Sequence, residues 1–419
     1  CYWPLYRIGR ELGRSLFTLI AAFAWLNVNL VTASWTLCGM ENSLHALVAW
    51  SLVASAIRMV RSGAAGSWRG WTVFSLLLVL NVWCRLDAAL LSAILLGAVL
   101  WQKGERLRWR VLRTPVIIGA AGAVVQMAGF YGMGGYWLPV SALIKGGAHR
   151  WTLENFLYLL ARGFDFVTPT SFILKPFQET VRVTWGPLAL GILALALAAS
   201  KIGGLRGRSL GRIWWALGLA GLIQNLVLSG MGEFSLYNVW YQSPYFVFCA
   251  LTIAIATEGV ARWALEKRVV GWKTLRGAAV LAVVLYGAFT ATRFVRAARD
   301  SEYRQDSVFY TCYRFSRWLR DHTQKSDILA SYNAGEIGYF SDRKVINLDG
   351  LANDYPYYRD VLRGKASLRR YLEANQVKYF VDYFIPAELS KDARIVHTLA
   401  HGDDRLYQAL DVSSSARLK

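Results

Sequence analysis

Acid is what this sequence lacks most. Its 419 residues hold 27 Asp and Glu against 47 Lys and Arg, a formal net charge of +20. A surplus of that size invites a nucleic-acid reading. Much of it sits in short turns between apolar segments, however, and no basic stripe interleaved with aromatics is left once those turns are set aside, so nucleic acid is not an expected partner. Cysteine is scarce too. Cys1, Cys38, Cys84, Cys249 and Cys312 have no metal-ligand spacing, and four of them sit in or beside apolar runs, where small buried side chains are the ordinary case. The chain opens at Cys1 without an initiating Met, a charged n-region or a small-residue cleavage site, so a further N-terminal piece is expected ahead of it. No solenoid-type repeat is present.

Apolar residues, by contrast, are abundant. They make up 55% of the chain with 18 Trp, and the mean hydropathy is +0.30; such a chain builds its main core with lipid. A helix crosses a bilayer with roughly 20 apolar residues. About nine such runs can be drawn, some of them short, near 14–32, 43–60, 70–84, 88–102, 114–132, 184–200, 213–231, 244–265 and 277–293.

Basic clusters mark every second connection. They contain Arg7, Arg10 and Arg14; Arg58, Arg61 and Arg69; Lys103, Arg106, Arg108, Arg110 and Arg113; Lys201, Arg206, Arg208 and Arg212; and Lys267, Arg268, Lys273 and Arg276. If every run crosses, all of these share one face, and the positive-inside bias makes that face cytoplasmic. The connections at 33–42, 85–87, 133–183 and 229–243, and the chain after about 295, then lie outside. The expected architecture is a mainly α polytopic protein of the plasma (inner) membrane, residues 1–295, followed by an extracytoplasmic α/β domain, 296–419.

In that second domain, Phe309 to Thr323 reads as an amphipathic helix, with Tyr313, Phe315 and Trp318 among its apolar positions. Strands are expected at Ile328–Tyr332, Lys344–Leu348 and Val377–Tyr383, and a helix capped by Ser367 at Ser367–Asn375. Strand, helix and strand at this spacing imply a small mixed or parallel sheet.

Polar residues at the outer ends of the apolar runs are the candidate site, because an ionisable group at membrane depth is costly and tends to face a cavity or a partner. Glu41 stands where the second run begins, and Arg85-Leu-Asp87 forms a hairpin tip. Tyr131 to Lys145 is a Gly-rich, aromatic stretch with Pro139, and Glu233 to Tyr245 precedes a late run. Carboxylates, cations and rings on one side suit a sugar and an anionic lipid phosphate. Each also has a plainer role: Tyr and Trp anchor at the interface, and Arg85 and Asp87 pair at a turn.

The order of these segments resembles a family. Gly39-Met-Glu41, Arg85-Leu-Asp87, Leu138-Pro-Val-Ser-Ala-Leu-Ile-Lys145, Tyr241-Gln-Ser-Pro244, Asn333-Ala-Gly-Glu-Ile-Gly-Tyr-Phe340 and Asn347-Leu-Asp-Gly-Leu-Ala-Asn353 resemble bacterial polytopic glycosyltransferases of the GT-C fold. The arabinofuranosyltransferase-like and mannosyltransferase-like members are the most similar. The resemblance implies transfer of a sugar from a polyprenyl-phosphate donor to a glycan, lipid or protein acceptor of the cell envelope, with a divalent cation, Mg or Mn, as a possible cofactor. It implies a general base in a first outer loop, which on this topology precedes Cys1. Glu41 would orient acceptor or bind a cation, Arg85 and Lys145 would contact the donor phosphate, Tyr241 would stack on sugar or prenyl chain, and Asp87 and Gln242 would belong to the same substrate-binding set. Glu336, Asp349 and Asn353 would bind acceptor, although the glycines around them also mark turns. Two departures stand out: Leu86 replaces a common Pro, and Tyr241-Gln-Ser-Pro244 lacks a common Arg.

Two other classes use the same features. A transporter or flippase of a lipid-linked substrate would need paired, interrupted half-helices, and no such pairing is read here. A non-catalytic membrane subunit would use the C-terminal domain to recruit a partner.

Overall fold

A helix pairs nearly all of its backbone amides within its own segment, the arrangement a long apolar run needs wherever water is excluded. The computed structural model describes residues 3–4, 6–8, 42–61, 67–103, 109–139, 152–161, 191, 194, 209–230, 242–269, 271, 273–274, 277–278, 280–281, 284–285, 288, 292, 308–332, 334–350, 355–364, 366–391, 393–400 and 406–413. Two compact units divide the chain: Cys1–Gln126 with Ala148–Val283, and Met127–Gly147 with Val284–Lys419.

The first unit is helical. It contains α1 (Asn42–Arg61), α2 (Trp68–Cys84), α3 (Ala89–Lys103), α4 (Trp109–Gly134, which runs on into the second unit's share of the chain), α5 (Leu153–Ala161), α6 (Ser209–Ser229) and α7 (Ser243–Glu266). These helices cover the expected runs at 43–60, 70–84, 88–102, 114–132, 213–231 and 244–265. The run at 14–32 lies outside the described residues, and those at 184–200 and 277–293 do so except for scattered helical positions.

Among the described residues, three helices are long and apolar enough to cross a membrane: Leu44–Arg61, Leu112–Gly134 and Pro244–Glu266. Only 6% of the second stretch is buried in protein. Val116, Ile117, Val124 and Val125 are each more than half exposed, a surface suited to lipid and costly in water. At a rise of 1.5 Å per residue, α2 and α3 reach only about 26 and 22 Å, short of a roughly 30 Å hydrocarbon layer.

Tight approach holds the helices together. A Cβ at Gly221 of α6 would lie 2.8 Å from Tyr245 Cα of α7, so only glycine allows these backbones to meet. Trp214 Nε1 donates to Thr252 Oγ1 at 3.0 Å across the same pair. Trp50, Trp71, Trp214 and Phe74 are fully buried in this unit's core.

The second unit holds an α/β domain. Its elements are α8 (Val308–His322), β1 (Ile328–Ser331), α9 (Ala334–Ser341), β2 (Lys344–Asn347), α10 (Leu368–Ala374), β3 (Val377–Asp382), β4 (Arg394–Ala400) and β5 (Leu406–Asp411). The sheet order is β2-β1-β3-β5-β4. β1 pairs in parallel with β2 and β3, while β5 runs antiparallel to β3 and β4. The sheet is thus mixed, and β4 and β5 are strands the sequence reading did not include.

Alternation along the strands sorts two cores. Leu329 and Val381 face Phe315 and Leu319 of α8 and Ile337 of α9. The next residues in register, Ala330 and Phe380, face Leu372 of α10, with Tyr357 and Leu389. Two helical layers therefore cover the sheet, which explains why β1 is buried along most of its length.

Two local expectations are corrected. Asn333 to Phe340, read only as the segment between strands, largely forms α9. Ser367 occupies the N-cap of α10 but makes no capping bond. Its hydroxyl donates to Glu388, whose carboxylate accepts the Arg369 N–H at 3.1 Å instead. The cap is supplied across space by an acid from a later turn, and these bonds hold the Glu388 carboxyl below its usual range.

Candidate functional site

The polar residues of the helical unit gather at one end of it. α2 stops at Cys84 because Arg85 turns extended (φ −157, ψ 123), and a 3-10 turn, Leu86–Ala88, leads into α3. Arg85 and Asp87 therefore fall on a tight bend, where their side chains meet: Arg85 Nε donates to Asp87 Oδ1 at 3.1 Å and an Nη to Oδ2 at 3.2 Å. The Arg85 side chain is 5% exposed and that of Asp87 33%. A planar fork on a carboxylate fixes the guanidinium in orientation as well as charge.

From this pair the network continues into α6 and α7. Gln224 Nε2 donates to Asp87 Oδ2 at 3.3 Å. The next residue, Asn225, accepts at Oδ1 from Gln242 Nε2 at 3.0 Å, and Gln242 also donates to Leu159 O at 2.9 Å. Asn225 and Gln242 are fully buried, yet Asn225 Nδ2 and Gln242 Oε1 make no hydrogen bond among the described residues. Gln242 occupies the N-cap position of α7 without a side-chain capping bond, and the first turn carries Pro244. Asn155 of α5 reaches Ser229 O at 3.4 Å beside them. Nearby, Asn81 donates to Ala88 O and Ser92 Oγ, tying the two arms of the hairpin.

Of the expected site residues, Arg85 and Asp87 are thus bonded to Gln224, and Gln242 is bonded to Asn225; the two bonded sets are joined only by the succession of Gln224 and Asn225 along α6. Neither Gln224 nor Asn225 is singled out by the sequence. Their signal was a Gln-Asn pair inside an apolar run, close to its end. Glu41, Lys145, Tyr241 and Asn353 lie outside the described residues.

Glu336 and Asp349 belong to the second unit. Glu336 stands in the first turn of α9, where burial pushes its carboxyl up and a bond from the Cys312 thiol pulls it down. Burial also raises the thiol strongly, with the Glu336 charge adding to it. Asp349 follows β2, and its N–H donates to Asn347 Oδ1 at 2.8 Å, a local turn bond.

β1 leads through α9 to β2 on one side, while β3 lies on the other side of β1 and leads on to β4 at the far edge, so the C-terminal ends of β1 and β3 flank a switch point of the kind where open sheets bind ligands. Asp382 fills it. Oδ2 accepts from Ser331 Oγ at 3.0 Å and Tyr332 N at 2.9 Å; Oδ1 accepts from Tyr383 N at 2.8 Å and Phe384 N at 3.3 Å. Four donors occupy a carboxylate's acceptor capacity, so Asp382 holds the strand ends together. Among the described residues, no group of three or more His, Cys, Asp or Glu is placed to hold a metal ion.

No curated protein matches this chain. Residues 296–412, which include every strand of the second unit, match the family Domain of unknown function (DUF8728).

Proposed function

We propose that the chain is a polytopic glycosyltransferase of the inner membrane, with about nine spans and a GT-C-like fold. In this reading its outer face moves a sugar from a polyprenyl-phosphate donor to a glycan, lipid or protein acceptor of the cell envelope, and the sheet domain is extracytoplasmic. One observation carries it: an ion pair and three buried carboxamides meet where the α2–α3 hairpin, the end of α6 and the start of α7 come together. Polar groups in such surroundings are costly, and a sugar or its phosphate gives them partners. The resemblance of segment order supplies the reaction class.

In the proposed reaction the acceptor hydroxyl oxygen attacks the anomeric carbon. The bond from that carbon to the lipid phosphate breaks, and the phosphate leaves with the electron pair. The hydroxyl proton passes to a carboxylate, with Glu41 the candidate on this chain to orient the acceptor. Asp87 is unsuited to that task, since both its oxygens already accept from Arg85. Its role is to hold Arg85, and Lys145 is the second cation proposed for the departing phosphate.

The test is transfer of radiolabelled sugar from a panel of polyprenyl-phosphate sugars to membrane acceptors by the full-length protein. Transfer that falls by about a hundredfold or more in Glu41→Gln and Lys145→Ala, with expression intact, supports the reading. Wild-type rates in both variants refute those residues' roles. No transfer from any donor by folded, inserted protein refutes the enzyme and favours a transporter or a subunit.

A further inference from the structure

The geometry points to a saccharide-binding surface on the second unit, formed by Tyr131, Tyr136, Trp137, Tyr355 and Tyr358. It is independent of the proposed reaction, because a transferase, a transporter of glycoconjugates and a recruiting subunit can each hold a glycan.

The surface is built by a helix end. Gly135 takes the left-handed conformation (φ +70), and its N–H donates to Tyr131 O at 2.9 Å, closing the last turn of α4. A residue with a side chain is strained at this φ, so the Gly-Tyr-Trp order decides where the following rings go. The chain reverses, and Trp137 stacks on Tyr131 with centroids 4.5 Å apart and planes 24° apart. Its neighbour Tyr136 lies on Tyr355, from the segment after β2, at 4.3 Å and 9°. Tyr358 follows 6.1 Å from Tyr355, and the Arg363 guanidinium lies 5.8 Å from the Tyr358 ring centre.

Stacking consumes one face of a ring and leaves the other. Tyr131 and Trp137 remain 52% and 51% exposed. Rings recruited for core packing behave differently here: Tyr357, between Tyr355 and Tyr358 in sequence, is 1% exposed and its hydroxyl donates to Leu348 O. Tyr357 supports the domain, while Tyr355 and Tyr358 stay half-buried. Flat, near-parallel rings edged by phenol hydroxyls match a sugar, which has an apolar C–H face and a rim of hydroxyls. Membrane anchoring also uses Tyr and Trp. An anchor uses the same free ring faces, and the binding experiment separates the two roles.

The experiment is calorimetric titration of the full chain in nanodiscs with maltohexaose, mannohexaose and an arabinan hexasaccharide. At least one is expected to bind, and Trp137→Leu and Tyr355→Leu should weaken it about tenfold, the scale of one lost ring contact. Trp137→Phe and Tyr355→Phe should stay within about threefold, since a ring remains. Leu keeps apolar bulk, so a binding loss with an unchanged melting temperature separates stacking from folding. The inference is overturned if no hexasaccharide binds at about 10 mM. It is also overturned if the Leu variants bind like wild type, or if they change only stability in nanodiscs, as interfacial anchors would. Sugar transfer can fail while binding persists, so the two proposals fail separately.

Discussion

Gln242 at the start of α7 donates to Asn225 near the end of α6 at 3.0 Å, and both side chains are fully buried. That bond, with the donation to Leu159 O, ties α5, α6 and α7 at one level. Gln242→Ala strips a donor from two buried acceptors and is expected to cost about 1–3 kcal/mol. Replacing both Gln242 and Asn225 by Leu should cost less than the sum of the single changes, because no polar group is then stranded. Denaturation of the four proteins in nanodiscs gives the comparison, and additive losses would remove the coupling.

Arg85 and Asp87 call for the same treatment. With the Arg85 side chain 5% exposed, Asp87→Leu removes the carboxylate that holds a buried cation, at a cost of about 3 kcal/mol. Arg85→Leu should cost less, because the Asp87 side chain is 33% exposed and water screens it. The double Leu variant should recover much of the stability but no sugar transfer. Recovery of transfer would show that the pair is only a turn element.

Gly221→Val should separate α6 from α7, since even a Cβ would stand 2.8 Å from the Tyr245 backbone. The expected loss is about 1–3 kcal/mol or failure to insert stably. Gly230→Ala, whose Cβ would meet nothing nearer than Val227 O at 3.5 Å, is the control and should insert and melt like wild type in the same assay.

Arg343 closes the C-terminal end of α8. Its guanidinium donates to Arg320 O at 2.6 Å, to Thr323 O at 2.7 Å and to Thr323 Oγ1 at 3.0 Å. Arg343→Ala should destabilise the sheet domain by about 2–3 kcal/mol, and Arg343→Lys should restore little, because a point charge cannot reproduce the fork. Hydrogen exchange at the end of α8 reads this directly; unchanged protection there would contradict it.

Glu336 gives a pH dependence. Its carboxyl is raised in the folded state by burial, so its contribution is fully present below the unfolded carboxylate value, near pH 4.5. That contribution is lost as pH rises through the folded value. Glu336→Gln should therefore stabilise the domain at pH 8 and do so less at pH 4, as followed by thermal unfolding at both. A difference that shrinks toward pH 8 has the wrong sign. His397 acts at the other end. Burial and the nearby His322 hold it below its usual range, so its contribution is present above about pH 6.5 and lost as pH falls.

Features legible in the residue order are local. Apolar runs of bilayer scale became α1, α4 and α7, and periodic patterns became α8, β1, β2, α10 and β3, because 3.6- and 2-residue periods act within a few neighbours. Arg85 and Asp87 were readable as a pair for the same reason, being two residues apart on a bend. The tertiary structure alone decided the rest. Gln224 and Asn225 joined the site only when α6 met the hairpin and α7, a matter of Gly221 allowing two backbones to touch. Asp382 became a tie between strand ends only once β3 lay beside β1, 51 residues from Ser331. β4 and β5 escaped notice because an edge hairpin is specified by the sheet it joins more than by its own pattern. Tyr136 and Tyr355 each look like an ordinary surface aromatic, and only folding sets one ring on the other at 4.3 Å.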